Sequence, residues 1–111
     1  MTKTSEVVEV KVGDIFVSSW GYDQTNVQFY EVVGLTKTKK SARLRGIAQL
    51  LEDEGDGWEM VIPSQGAFMG DVFTKRVISA TSEPCFRICS FEYAFRWNGI
   101  PKHQTGPYAG H

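Results

Sequence analysis

Gln28-Phe29-Tyr30-Glu31-Val32-Val33-Gly34-Leu35 decides the fold. Aromatic and β-branched side chains dominate the run, the composition that fits a pleated, half-buried surface, and no proline interrupts it. It reads as the central strand. Upstream, Asp14 to Trp20 is a second strand, with Phe16 and Trp20 on one face and Ile15 and Val17 on the other, entered through a Gly13-Asp14 turn. Before that turn, Val8, Val10 and Val12 alternate with Glu9 and Lys11, which predicts a half-buried strand over Val7 to Val12.

Downstream, Thr36 to Lys40 is a basic turn and Ser41 to Leu50 returns as a strand, Arg43 and Arg45 facing one way, Ala42 and Leu44 the other. Met60 to Ile62 is a short strand that Pro63, which lacks a ladder donor, must end or hold at an edge. Gly66 to Asp71 reads as a loop exposing Phe68 and Met69, after which Phe73 to Ala80 and Phe86 to Cys89 resume strand composition. From Ser90, a residue suited to a helix N-cap, Phe91, Ala94 and Phe95 fall at i, i+3, i+4, with Tyr93 and Trp97 four apart. This predicts one short helix near residues 90–97. Residues 1–6 and 102–111 read as tails on a single domain spanning 1–111.

Five to six strands joined by turns, with little helix between them, predict a mainly β domain. Its expected form is a small antiparallel bent sheet or a closed barrel. The strings Val12-Gly13-Asp14-Ile15-Phe16-Val17, Phe29 to Thr36 and Ser41-Ala42-Arg43-Leu44-Arg45 resemble the opening of Src-homology-3-like barrels, over about a third of the chain.

The 111 residues include three Trp, four Tyr and seven Phe at a net charge of −1, which excludes charge-driven disorder. No stretch approaches the ~18 to 20 apolar residues of a membrane helix, and the opening residues have no signal-like apolar run. A cytoplasmic protein of a bacterial host, with no membrane contact, is expected. Cys85 and Cys89 in one strand stand ~13 Å apart, too far for a disulfide, and read as ordinary thiols. Charge is uneven: Glu52, Asp53, Glu54, Asp56 and Glu59 make a run of minus five, while the remaining residues carry 12 bases against 8 acids.

Several chemistries fail on spacing. Glu52, Glu54 and Asp56-Gly57 imitate the start of a calcium loop, but its twelfth position is Pro63 and its flanks read as strands. His103 and His111, the two histidines, lie in the Gly/Pro-rich end, and no nucleophile elbow or phosphate-cradling glycine loop occurs. No catalytic constellation, metal site or cofactor is expected.

Recognition residues are easier to name. Ser18 to Asn26 packs hydroxyls, aromatics, amides and a carboxylate between two strands, making Trp20, Tyr22, Asp23, Gln24, Thr25 and Asn26 candidates for contact with a partner, together with Trp97. A self-satisfied turn built by Asp23 and Asn26 is the structural alternative. Lys37, Lys39, Lys40, Arg43 and Arg45 form a candidate anion or nucleic-acid contact.

The block Ser19-Trp20-Gly21-Tyr22-Asp23-Gln24-Thr25-Asn26, followed by Phe29-Tyr30, then Trp97-Asn98-Gly99-Ile100-Pro101 and the terminal Tyr108-Ala109-Gly110-His111, resembles small proteins of bacteriophages and other mobile elements. Asn98 departs from their Asp. The resemblance covers about half of the chain and implies a mobile-element origin without transferring any catalytic residue. Three functions follow as expectations. The first is a non-enzymatic binding protein that occupies a host protein, such as a defence-system component. A second is a small nucleic-acid-binding barrel using the Lys37–Arg45 strand. The third is an oligomeric sponge for a nucleotide signal; otherwise a monomer or small homo-oligomer is expected.

Overall fold

The computed structural model describes residues 10–21, 25–38, 40–55, 58–78 and 84–105. Seven strands follow one another: β1 (Ile15–Trp20), β2 (Asn26–Leu35), β3 (Ser41–Gly55), β4 (Trp58–Arg76), β5 (Cys85–Cys89), β6 (Glu92–Arg96) and β7 (Lys102–Thr105). They form one antiparallel sheet in the order β5-β6-β1-β2-β3-β4-β7. The protein is therefore mainly β, as its composition predicts. The sheet is open, so of the two expected forms the closed barrel is not realised; a single bridge, Ile78 with Cys85, joins the chain after β4 to β5.

Alternation places the two faces. On the inner face Phe16, Tyr30, Val32, Ala42, Leu44, Phe86 and Ala94 pack together, with Phe73, Val77 and Ile88 against them. Residues of six strands meet in that cluster, so the sheet curls around it. The Phe16 and Phe86 rings meet edge-on at 4.8 Å, and burial of each ring contributes roughly 1.5–3 kcal/mol. The outer face has its own core of Val17, Val27, Phe29, Ile47 and Val61, flanked by Ile15 and Trp97.

β2 pairs on both sides, with β1 and β3, as a central strand must. Arg43 and Arg45 oppose buried Ala42 and Leu44 as the alternation predicts. Four expectations are corrected. Residues 90–97 hold no helix: Ser90 and Phe91 make a turn and Glu92–Arg96 is a strand paired with β1 and β5. Glu92 and Ala94 are buried while Tyr93 and Phe95 are exposed, a period of two that the helical spacing of Phe91, Ala94 and Phe95 conceals. The strand expected over Val7 to Val12 is not formed in its described part, where Lys11 and Asp14 close a turn by Asp14 N–H to Lys11 O at 3.0 Å and Lys11 N–H to Asp14 Oδ2 at 2.8 Å.

The third correction concerns β4, expected as two pieces around a loop. It is one 19-residue strand. Four residues, 64–67, stand against Ala48, and three, 70–72, stand against Arg45. These bulges absorb the supposed loop. Gly66 (φ 86°) and Gly70 (φ 74°) take the left-handed backbone those bulges require. Finally, Lys102–Thr105, read as part of a tail, pairs with Trp58 to Val61 and covers the β4 edge.

Candidate functional site

β6 turns large aromatic side chains away from the core. Phe91 at its entry is 66% exposed, Tyr93 41% and Phe95 51%. On the opposite face Glu92 is buried: its Oε2 accepts hydrogen bonds from Ser18 Oγ and, at 2.8 Å, from the Tyr30 hydroxyl. Burial first, then that hydrogen bond and the charge of the carboxylate, push the Tyr30 phenol well above its ordinary range. These contacts lock β6 to β1 and β2 and fix which face the aromatics present. At the other end of β6 the Arg96 guanidinium pairs with Asp14 at 2.9 Å and lies over the Phe16 ring.

The neighbours of these aromatics are cationic or neutral. Arg87 on β5 stands directly across from Tyr93 and is exposed. Among the residues of β1, β5 and β6, Glu92 is the only acid, and it faces inward. Beyond β6 the chain crosses toward β7. Trp97 packs edge-on against Phe29, its Nε1–H donates to Ile100 O at 2.8 Å, and Asn98 Oδ1 accepts from Ile100 N–H at 3.0 Å. Between this crossing and the outer face lies a cavity of about 290 Å³ lined by Val17, Ser19, Tyr93, Phe95, Arg96, Asn98 and Lys102.

The residues singled out from sequence are placed differently. Tyr22, Asp23, Gln24 and Lys39 lie outside the described residues. Trp20 is half-buried at the end of β1, paired with Asn26, whose Nδ2 reaches Trp20 O at 3.4 Å; Thr25 is half-buried beside it. Trp97 is a packing residue that borders the cavity by position and does not line it. Lys37, Lys40 and Arg43 are exposed, Arg43 lying along Gly34. Arg45 is spent on the protein itself, donating to Gly70 O at 2.8 Å and covering the Phe68 ring at 5.0 Å.

Strand pairing adds what the sequence order hid. Arg76 stands opposite Ser41, on the face of Arg43, so that face gains a cation from β4, while Lys75 stands opposite buried Ala42. Tyr93, Phe95, Arg87, Ser19, Asn98 and Lys102 escaped selection as site residues; the period-two run Phe91-Glu92-Tyr93-Ala94-Phe95 was the signal that could have found the first two. Cys85 is buried, which pushes its thiol pKa up and away from nucleophilic use. Exposed His103 stacks on Trp58. Among the described residues no group of three or more His, Cys, Asp or Glu could hold a metal, and no helix is long and apolar enough to cross a membrane.

Compared with protein-family models, with curated proteins and with solved structures, the chain matches none.

Proposed function

We propose that this chain is a non-catalytic binding protein whose partner is single-stranded nucleic acid, held on the outer face of β5 and β6. The exposed run Phe91, Tyr93, Phe95 carries the reading. Side chains two apart on a strand lie ~6.6 Å from each other, close to the ~7 Å that two successive ring contacts need, so a planar base fits between neighbours. Stacking of this kind tolerates any base because every base has a π face. Arg87 and Lys102 flank the aromatics, and β1, β5 and β6 put no acid on that side of the sheet. This is a local footprint on a chain of net charge −1, so affinity rests on stacking more than on phosphate contacts. With two cations engaged, the log–log salt slope is about −1.4.

Fluorescence anisotropy with a labelled oligo-dT of about ten nucleotides tests this. Tyr93→Ala and Phe95→Ala are each expected to weaken binding by ~1–3 kcal/mol, the loss of one stacked base, with an unchanged melting temperature. Binding that both variants leave intact would overturn the assignment.

A second reading, occupation of a host protein such as a defence component, is favoured by a different surface. Where β3 pairs with Ile62 and Val61 of β4 it exposes Leu50 (51%) and Leu51 (52%), one on each face of the ribbon, followed by exposed Glu52 and Asp53. That pairing of apolar and acidic side chains suits a basic protein groove. Under it, changing both leucines to Ser abolishes capture of the protein partner and leaves oligonucleotide binding untouched.

A further inference from the structure

We infer that the 290 Å³ cavity between β1, β6 and the 97–101 crossing is a pocket for one pyrimidine nucleotide, its base against Tyr93 and Phe95 and its phosphate on Lys102. The inference rests on the reading of the outer face as a nucleic-acid surface and adds a specific subsite to it.

Volume comes first. At about 290 Å³ the cavity lies just below the ~300–1,000 Å³ range of small-ligand sites, room for one ring with its phosphate and too little for a dinucleotide. Shape comes next: Val17 and the two aromatic side chains give apolar walls, which favour a planar ring. The polar groups then choose its chemistry. Asn98 commits its Oδ1 to Ile100 N–H, which leaves Nδ2 as a donor toward the cavity. Lys102 adds an ammonium, a donor only, and Ser19 a hydroxyl that can donate or accept. Among the described residues none of these three donors is engaged by another protein group. A set dominated by donors calls for acceptors, which the carbonyl-rich edge of uracil or thymine and a phosphate supply. A purine is larger, and cytosine offers an amino group where an acceptor is wanted. The stacked ring of a bound strand and a free mononucleotide share this chemistry.

Isothermal titration with UMP, uridine and AMP, alongside anisotropy with oligo-dT carrying or lacking a 5′-phosphate, tests the pocket. UMP is expected to bind at least tenfold more tightly than uridine or AMP. Lys102→Met should remove the UMP advantage over uridine, about tenfold, as loss of a hydrogen bond to a charged group requires. Asn98→Asp keeps the acceptor for Ile100 N–H and removes the donor, so it should weaken UMP binding while melting stays unchanged. A gain of the 5′-phosphorylated strand over the unphosphorylated one assigns the pocket to a strand end; UMP binding as tight as the phosphorylated strand assigns it to the free nucleotide. Oligonucleotide binding that persists with no UMP binding, no 5′-phosphate effect and no response to Lys102→Met or Asn98→Asp overturns the pocket and leaves the surface standing. Absence of binding to any of these ligands overturns both.

Discussion

Glu92 sits on the inner face of β6, where Ser18 and Tyr30 each donate a hydrogen bond to one of its oxygens. Nothing in the local sequence predicts this, because the partners lie 74 and 62 residues away; a buried carboxylate is tolerated only when such donors exist. The arrangement has a pH consequence. The folded chain holds the Tyr30 proton to higher pH than an unfolded tyrosine does, so above about pH 10 the unfolded state has released a proton that the native state keeps. The stabilisation is full below that pH and is lost as pH rises further. Cys85, raised by its burial, acts with the same sign. Tyr30→Phe removes the titration, so its melting temperature should fall less steeply than the wild type's between about pH 9 and 11. Parallel curves for the two proteins would contradict the hydrogen-bonded role given to the phenol.

At the scale of elements, legibility tracked periodicity. β1 and β2 follow from alternation and β-branched composition, and the facing of Arg43 against Ala42 and Leu44 follows from the same rule. β6 did not, because Phe91, Ala94 and Phe95 satisfy helical spacing as well as Phe91, Tyr93 and Phe95 satisfy strand spacing. Pairing with β1 and β5 decides between them, and such long-range pairing is not written in a five-residue window. The cost of that ambiguity fell on function: read as a helix, the segment scatters its aromatics around an axis, whereas the strand sets Tyr93 and Phe95 side by side on one exposed face. The sequence of β4 misleads for a related reason. Its glycines signal a break, and the structure uses Gly66 and Gly70 to bulge a continuous strand. One bulge brings Gly66 N–H to Glu31 Oε1 at 2.9 Å and Gln65 Nε2 to Gly13 O at 3.1 Å, tying β4 across the outer face.

The whole molecule is a curled sheet with a core on each face, and this explains where a partner can bind. Residues of six strands pack together in the inner core. Over β2 and β3 the outer face carries the second core, with Trp97 packed on Phe29. The outer face of β5 and β6 stays uncovered, with the crossing to β7 as its rim. The basic turn is the other nucleic-acid candidate, and topology strengthens it with Arg76. Its exposed aromatic neighbour, Phe68, lies under Arg45, the member nearest the sheet centre, which also donates to Gly70 O, so that ring and that cation are already engaged with each other. The two surfaces thus compete as addresses for the same ligand. An amide chemical-shift titration of the ¹⁵N-labelled protein with a short oligo-dT distinguishes them in one experiment. Saturating shifts are expected at Arg87, Tyr93, Phe95, Asn98 and Lys102, with Lys37, Lys40 and Arg43 unmoved. Shifts confined to Lys37, Lys40, Arg43, Lys75 and Arg76, or none at all, would contradict it.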